Sequence, residues 1–344
     1  MASRDRNTIT QHVGAQPQPA VPPDVHPVPN QSREVVAASR VMARVLGLVQ
    51  AFAAAETVVF EGAAGTGKSY LAQLLHASSG RRGAFVDVSA GEFEPGLALD
   101  QLFGHVRGAF TGAMTRHRGL FAEAEGGTLL IDEFHLLRRG HQAMLIRALE
   151  RRVYRPIGFE RDVPVTCSVV VGVEDSLDRL VARGRMRANL RSRLGHCIIT
   201  VPTLDERRED IAVLAHAFLE RCRAGSPDGP KRFAPEALAM LEMATYSANL
   251  RDLREAIKAG YLLARGEDEL CVRHLPSWVR APLRYERRMD QATKRRLVEW
   301  ALRTSGGHIG KAAERIGVHR NTVTAISAEV GAANVVADRV ARPG

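Results

Sequence analysis

The glycine-rich segment at residues 62–69 constrains this chain more than any other feature, because it matches the pattern G-x-x-x-x-G-K-[ST]. It follows a β-branched run at 57–60 that is typical of a strand, and it precedes an apolar run at 70–76 that is typical of a helix. This strand–loop–helix context separates a phosphate-binding P-loop from an ordinary glycine turn. The segment therefore predicts an α/β fold with a polyphosphate bound at the loop.

The residue types in this loop suit phosphate chemistry. Its glycines allow backbone N–H groups to turn inward around a polyphosphate, and the helix N-terminus adds a favourable dipole. Lys68 adds a positive charge on the outer phosphates, and the Ser69 hydroxyl is a ligand for Mg²⁺. We assign nucleotide binding to six residues of the loop: Gly62, Gly65, Thr66, Gly67, Lys68 and Ser69.

A second apolar run, at 127–133, ends in the paired carboxylates Asp132 and Glu133. Ligands of open α/β sheets bind at the C-terminal ends of the strands, where these charges are expected. We assign Asp132 to the magnesium ion and Glu133 to polarising the attacking water. A glycine turn or an acidic strand end alone has an ordinary structural explanation, but together they predict ATP binding with hydrolysis.

Strand and helix patterns alternate through the first two thirds of the chain. Apolar runs at 85–88, 166–171 and 197–201 predict further strands, and 90–102 and 142–150 predict helices, so we expect a parallel sheet. After Pro202 the pattern becomes helical. The predicted units are a proline-rich disordered tail (1–33), the α/β nucleotide-binding subdomain (34–202), a small helical lid (203–266), a linker (267–292), a helix-turn-helix unit (293–331) and a C-terminal tail (332–344).

Composition narrows the choice of partners and compartment. The formal net charge of +10 makes a polyanion such as DNA a plausible partner. The four cysteines have no C-x-x-C spacing, which favours reduced thiols in a cytoplasm. No apolar run approaches the length of a membrane span and no signal sequence opens the chain, so we expect a cytoplasmic protein without a membrane partner.

Two further segments carry chemistry. The glycines at 104–113 predict an exposed, mobile loop with Phe110 and Thr111 at its tip. Near the C-terminus, a short helix at 309–316, a turn at Gly317 and a second helix at 321–330 follow the helix-turn-helix plan. An ordinary helical hairpin has the same outline, but the C-terminal position and the basic residues at 284–288 favour DNA binding.

From residue 36 to 331 the chain resembles the sigma-54-dependent transcriptional activators, or bacterial enhancer-binding proteins, a branch of the AAA+ ATPases. The most specific motif is the signature loop G-A-F-T-G-A, intact at 108–113 and preceded by Leu-Phe-Gly-His at 102–105. The resemblance implies that Phe110 and Thr111 contact sigma-54. It also implies an AAA+ P-loop core with a parallel sheet, a small all-α lid and a Fis-type helix-turn-helix, here without an N-terminal receiver or sensory domain.

Other roles are implied by position within the family pattern. Arg187 and Arg193 fall where the family has arginine fingers that act on the ATP of a neighbouring subunit. Arg251 lies in the segment that carries the nucleotide-sensing arginine of the lid. The start of the recognition helix supplies the candidate DNA contacts Arg320, Asn321 and Thr322.

The resemblance implies an ATP-driven activator that binds a DNA enhancer site and remodels sigma-54 RNA polymerase for promoter opening. Homo-oligomers from a dimer to a hexameric ring, and control by expression or by a regulatory protein partner, are part of this expectation.

Three of the positions that depart from the family bear on hydrolysis. Ser89 stands where an asparagine bonds the catalytic glutamate, and Val173 and Glu174 replace a threonine–asparagine sensor pair. An alternative is therefore a DNA-binding repressor or co-regulator with weak or no ATP hydrolysis. A further alternative, an AAA+ remodeller such as a helicase loader, is disfavoured by the intact loop at 108–113.

Overall fold

The structure, a computed structural model, describes residues 37–94, 96–279 and 291–328. The predicted tails at 1–33 and 332–344, and the basic segment at 284–288, lie outside these residues. The described strands are β1 (Thr57–Glu61), β2 (Phe85–Ser89), β3 (Gly104–His105), β4 (His117–Arg118), β5 (Thr128–Asp132), β6 (Val153–Tyr154), β7 (Val163–Pro164), β8 (Ser168–Val173), β9 (Ile198–Thr200), β10 (Arg232–Phe233) and β11 (Glu269–Leu270).

The α-helices alternate with the strands and then dominate the C-terminal part. They are α1 (Arg40–Ala51), α2 (Lys68–Ser78), α3 (Ala98–Phe103), α4 (Leu120–Glu123), α5 (Arg139–Arg151), α6 (Leu177–Ala182), α7 (Ala188–Leu194), α8 (Asp210–Gly225), α9 (Pro235–Met243), α10 (Leu250–Leu263), α11 (Gln291–Thr304) and α12 (Ile309–Ile316). A further helix covers 320–328, the last described residues.

A five-stranded, all-parallel sheet forms the centre of the α/β subdomain, in the order β2-β5-β8-β1-β9. Side chains of its central strands alternate between two cores, as the pleat of a strand requires. In β1, Val59 packs with one core, and Val58 and Phe60 pack with the other, against α1 and α2. Because both faces are covered, these strands are continuous apolar runs in the sequence.

The predicted parallel α/β core is confirmed, whereas the predicted helix at 90–102 is wrong in its first half. Residues Ala90–Glu92 form a single 3₁₀ turn, capped by Ser89 Oγ, which accepts the Gly91 N–H at 3.1 Å. The α-helix begins only at Ala98. Pro95 lies between the two pieces in the sequence, and a proline disfavours helical backbone at the residue before it.

The lid is built from α8, α9 and α10 around its own apolar core. Part of the segment predicted as a linker belongs to this core, since Leu270, Leu275 and Val279 are all buried in it. Sequence periodicity missed this contribution because these residues lie in a two-residue strand and short 3₁₀ turns, which have no helical or strand repeat.

The C-terminal helices pack on the lid. Ala239 and Met243 of α9 share a buried cluster with Leu297 and Trp300 of α11. The guanidinium of Arg303 forms an ion pair with Glu242 at the edge of this contact. Burial raises the pKa of Glu242, and the charges of Arg303 and Arg208 oppose that shift.

We expect the Met243→Asp substitution to release the C-terminal helices from the lid, because it places an unpaired charge in an apolar contact. Such changes typically cost about 2–4 kcal/mol. Hydrogen exchange should show loss of protection in both α9 and α11. Met144→Asp is the matched control on α5, where the methionine is exposed, and it should leave exchange unchanged. Equal protection in the two variants would contradict the packing.

Candidate nucleotide-binding site

The P-loop joins the end of β1 to the start of α2, at the C-terminal edge of the sheet. The Gly62 N–H donates to the Val173 carbonyl at 3.0 Å, which fixes the start of the loop to β8. Gly65 and Gly67 have φ angles of +72° and +104°, in the left-handed region that favours glycine. A Cβ atom at Gly65 would also lie 2.1 Å from the Ala248 carbonyl oxygen of the lid.

Lys68 is turned into this loop and is only 6% exposed. Its Nζ donates to the carbonyls of Gly62 at 2.8 Å and Ala63 at 3.2 Å. Burial lowers the pKa of Lys68, and the charges of Asp132, Glu174 and Glu133 act in the opposite direction. The ammonium group is therefore held inside the loop by two backbone carbonyls.

Oxygen atoms suited to Mg²⁺ lie next to this lysine. The Ser69 Oγ donates to Asp132 Oδ2 at 3.2 Å, and the Glu133 N–H donates to Asp132 Oδ1 at 2.8 Å. A hydroxyl and a carboxylate are hard ligands of the type that Mg²⁺ prefers, with further positions left for water and phosphate oxygens. The pair predicted from sequence for the metal ion is therefore brought together by the fold.

Glu133 follows Asp132 in an unusual backbone conformation. Its φ and ψ angles are 50° and 33°, a left-handed conformation that non-glycine residues seldom adopt. Its side chain accepts a hydrogen bond of 2.5 Å from Ser89 Oγ. The serine at this position thus holds the glutamate, although its side chain is shorter than the asparagine of the family pattern.

The lid closes over the loop through two side chains that sequence analysis did not select. Asn249 Nδ2 donates to the Ala64 carbonyl at 2.9 Å, and the Arg207 Nη2 donates to the Thr66 carbonyl at 2.6 Å. Both residues are buried. Asn249 lies within the sequence segment that pointed to Arg251, so its amide was a detectable signal. Arg207 gave none, because arginine usually lies at the surface.

A cavity of about 370 Å³ lies between the P-loop and the lid. Arg251 lines it together with Lys68, Ser69 and Asp132. Three more arginines contribute to its wall, so the cavity is strongly cationic and suits a polyphosphate: Arg207, Arg221 and Arg254.

Arg187 and Arg193 lie elsewhere, and neither lines this cavity. Arg187 precedes α7 and its N–H donates to Gln142 Oε1 at 3.1 Å. Arg193 is exposed on α7, with Nε donating to Glu150 Oε1 at 2.7 Å. Arg191 forms a similar surface ion pair with Asp178. Within one chain the fold therefore does not bring the predicted arginine fingers to Lys68.

The loop at 104–118 begins and ends on a short antiparallel β3–β4 pair in the α/β subdomain. The ring of His105 packs edge-on against Phe110, with centroids 4.9 Å apart, and its Nδ1 lies 2.6 Å from Asp100 Oδ1. Phe110 is nevertheless 42% exposed, and Thr111 is exposed beside it. The two residues predicted to touch a partner thus lie on the surface, and His105 packs against one of them, Phe110.

The C-terminal helices have the predicted helix–turn–helix outline. Helix α12 ends at Gly317, whose φ of +70° forms the left-handed turn. The following helix begins at Arg320, which is exposed, as is Asn321, whereas Thr322 is half-buried. Its inner face packs through Val323 and Ile326. No described helix has the length and apolar character needed to cross a bilayer.

Comparison with known proteins gives a consistent result. Residues 35–200 match the "Sigma-54 interaction domain" family, and residues 205–292 match the "AAA+ ATPase lid domain" family. The transcriptional regulatory protein ZraR of Salmonella typhi is 34% identical over 275 residues, which are 78% of this chain and 62% of that protein. The nitrogen fixation protein AnfA of Azotobacter vinelandii is 31% identical over 296 residues, 83% of this chain and 55% of that one.

Solved structures share the fold. The crystal structure of NtrX from Brucella abortus with ADP aligns with a TM-score of 0.70 and 26% identity, covering 87% of this chain and 70% of that one. The same protein with ATP gives a TM-score of 0.64 and 27% identity, with the same coverage.

The fold and the site together define a P-loop protein of the AAA+ class, with a helical lid over the phosphate-binding loop. The match over residues 35–200 shows, more narrowly, that this part of the chain belongs to the sigma-54 interaction domain family. The chain spans 62% of the length of the ZraR proteins that it matches.

A small change at Gly172 tests the position of Asp132. A Cβ atom at Gly172 would lie 2.1 Å from Asp132 Oδ1, so Gly172→Ala must displace the carboxylate. Because displacement by about 1 Å can cost about 10²-fold in rate, we expect at least that loss in Mg²⁺-dependent ATP turnover. Phosphate release under saturating ATP would measure it.

The control for this prediction is Gly140→Ala on α5, where the new methyl group meets open space. It should leave turnover unchanged. Full turnover in Gly172→Ala would show that Asp132 is not fixed by its packing on β8.

Proposed function

We propose that this protein is an ATP-dependent transcription activator that binds DNA upstream of promoters and remodels sigma-54 RNA polymerase for promoter opening. The observation that carries the proposal is the exposed loop with Phe110 and Thr111, which lies in the chain between the P-loop and the Asp132–Glu133 pair. Membership in the sigma-54 interaction family supports the same partner.

ATP would bind between the P-loop and the lid. Lys68 would leave the carbonyls of its own loop and pair with the outer phosphates, while Arg251 contacts them from the lid. Mg²⁺, held by Ser69 and Asp132, would neutralise charge on the phosphate oxygens. The binding of ATP to the related NtrX of Brucella abortus supports this assignment.

Glu133 would orient and polarise the attacking water. In the structure its carboxylate is hydrogen-bonded to Ser89, so it is held toward β2. Ser89 bonds only Oε2 of Glu133, so the other carboxylate oxygen would polarise a water placed beside the γ-phosphate.

A homo-oligomeric ring, up to a hexamer, would complete the site. Arg187 and Arg193 lie outside the cavity of their own chain, as is required of residues that act on the ATP of a neighbour. A guanidinium from the next subunit would stabilise charge on the γ-phosphate and link hydrolysis to the geometry of the ring. The ion pair of Arg193 with Glu150 would have to open for this role.

The C-terminal helices would place a dimer on enhancer DNA. Arg320 and Asn321 are exposed at the start of the last helix, where side chains can reach base edges or phosphates, and Thr322 follows them. A regulatory protein partner could set activity through the AAA+ core. We infer a cytoplasmic location from the DNA and polymerase partners.

Glu174 favours a second candidate, a DNA-binding regulator that retains the ATPase fold with weak or no hydrolysis. Its negative charge acts on Lys68 and would oppose a third phosphate bound there. Promoter effects that are independent of sigma-54, with nucleotide bound and no phosphate released, would support this candidate.

We expect Glu133→Gln to bind ATP normally and to lose about 10²–10⁴-fold in turnover, because the amide cannot act as a base. Lys68→Ala should lose nucleotide binding itself. Equilibrium binding and phosphate release, measured on the same samples, separate the two defects. Turnover that survives in Glu133→Gln would exclude the proposed role.

Thr111→Ala should abolish open-complex formation at a sigma-54 promoter and leave ATP turnover intact, because the residue lies on the exposed loop, away from the cavity. Thr115→Ala, a matched change outside the 108–113 motif, is the control and should retain activity. Permanganate footprinting of promoter DNA measures opening. If unmodified protein with ATP never opens such a promoter, the proposed partner is wrong.

A further inference from the structure

The end of β8 places a carboxylate at the mouth of the P-loop. Val173 pairs with Glu61 across the sheet, and its carbonyl accepts the Gly62 N–H at 3.0 Å. Glu174 is the next residue, so it leaves the sheet where the loop begins. Gly172, two residues earlier, packs against Asp132. Glu174 therefore stands beside the residues proposed to hold the γ-phosphate and the metal ion.

A histidine faces this carboxylate. His135 Nε2 lies 3.9 Å from Glu174 Oε2, longer than a hydrogen bond but close enough for electrostatic attraction when the imidazole carries a proton. The His135 side chain is 14% exposed, and that of Glu174 is 41% exposed. His135 is two residues beyond Glu133, in the short 3₁₀ turn Phe134–Leu136. Its Nδ1 is buried and has no hydrogen-bond partner among the described residues.

Charge makes this pair relevant to nucleotide choice. Burial lowers the pKa of Lys68. The negative charges of Asp132, Glu174 and Glu133 oppose this shift. Three carboxylates thus act on one ammonium group. With its outer phosphates on Lys68, a triphosphate would bring one more negative group toward these carboxylates than a diphosphate would.

We propose that Glu174 is a specificity-determining residue of this site, whose carboxylate disfavours ATP relative to ADP to an extent limited by its attraction to His135. The inference rests on the nucleotide binding proposed above. Glu174 would repel the γ-phosphate when free to turn toward Lys68, and His135 would draw it aside. ADP would then compete effectively with ATP for the site unless a partner or the ring repositions this pair.

The position of the charge separates this role from that of an ordinary surface glutamate. A solvated glutamate far from the phosphates would affect both nucleotides equally, and weakly, because water and salt screen it. A carboxylate that lies beside the γ-phosphate, and not beside the other phosphates, affects the binding of ATP but not that of ADP. Removing one negative charge beside the γ-phosphate should change the affinity for the triphosphate about tenfold, which equals about 1.4 kcal/mol.

The test is equilibrium binding of ADP and of the β,γ-imido analogue of ATP, both with Mg²⁺, to the full chain. We expect Glu174→Gln to bind the triphosphate about tenfold more tightly and ADP within about twofold of the unmodified protein. His135→Gln should weaken triphosphate binding, and this effect should vanish when Glu174→Gln is also present. Glu236→Gln, at an exposed glutamate on the lid helix α9, is the control and should change neither affinity.

The outcomes separate this inference from the proposed function. If the unmodified protein binds both nucleotides, loses them in Lys68→Ala, and shows the same triphosphate-to-ADP ratio in Glu174→Gln, the role of Glu174 is wrong and the nucleotide site stands. If the His135→Gln effect persists without the Glu174 carboxylate, the pairing is wrong. If the unmodified protein binds neither nucleotide, both proposals fall.

Discussion

The hydrogen bonds between the lid and the P-loop are the interaction on which the rest of this structure depends. The loop itself is a run of small residues with little side chain to pack, so other elements must hold its shape. Leu250 N–H donates to the Gly65 carbonyl at 3.0 Å, and Asn249 and Arg207 bind the neighbouring carbonyls of Ala64 and Thr66. The lid thereby satisfies the outward-facing acceptors of the loop and leaves its N–H groups for phosphate.

The same contact joins the α/β subdomain to the lid, each of which has its own apolar core. Asn249 also accepts the Leu204 N–H at 2.8 Å, which ties the start of α10 to the segment that leaves the sheet. Buried Asp210 of α8 accepts hydrogen bonds from the N–H groups of Ala38 and Ser39, ahead of α1. These hydrogen bonds connect the lid both to the P-loop and to the segment ahead of α1. The C-terminal helices in turn pack on α9 of the lid.

The site contains two groups of side chains of opposite charge. Lys68 and the arginines of the lid supply positive charge to the cavity, whereas Asp132, Glu133 and Glu174 gather at the strand ends. A polyphosphate with Mg²⁺ would neutralise both groups, because the phosphates would meet the cations and the metal ion would meet the carboxylates. The exposed loop with Phe110 belongs to neither group.

The order of residues along the chain determined the P-loop, the Asp132–Glu133 strand end, the exposed loop at 108–113 and the parallel α/β core. These features follow from local patterns: glycine spacing, β-branched runs and charges that end an apolar segment. Only the tertiary structure decided that Ser89 reaches Glu133, that Arg207 and Asn249 hold the loop, and that His135 faces Glu174. Each of these contacts joins residues from separate elements, and no local spacing specifies which strand ends become neighbours until the sheet order β2-β5-β8-β1-β9 is set.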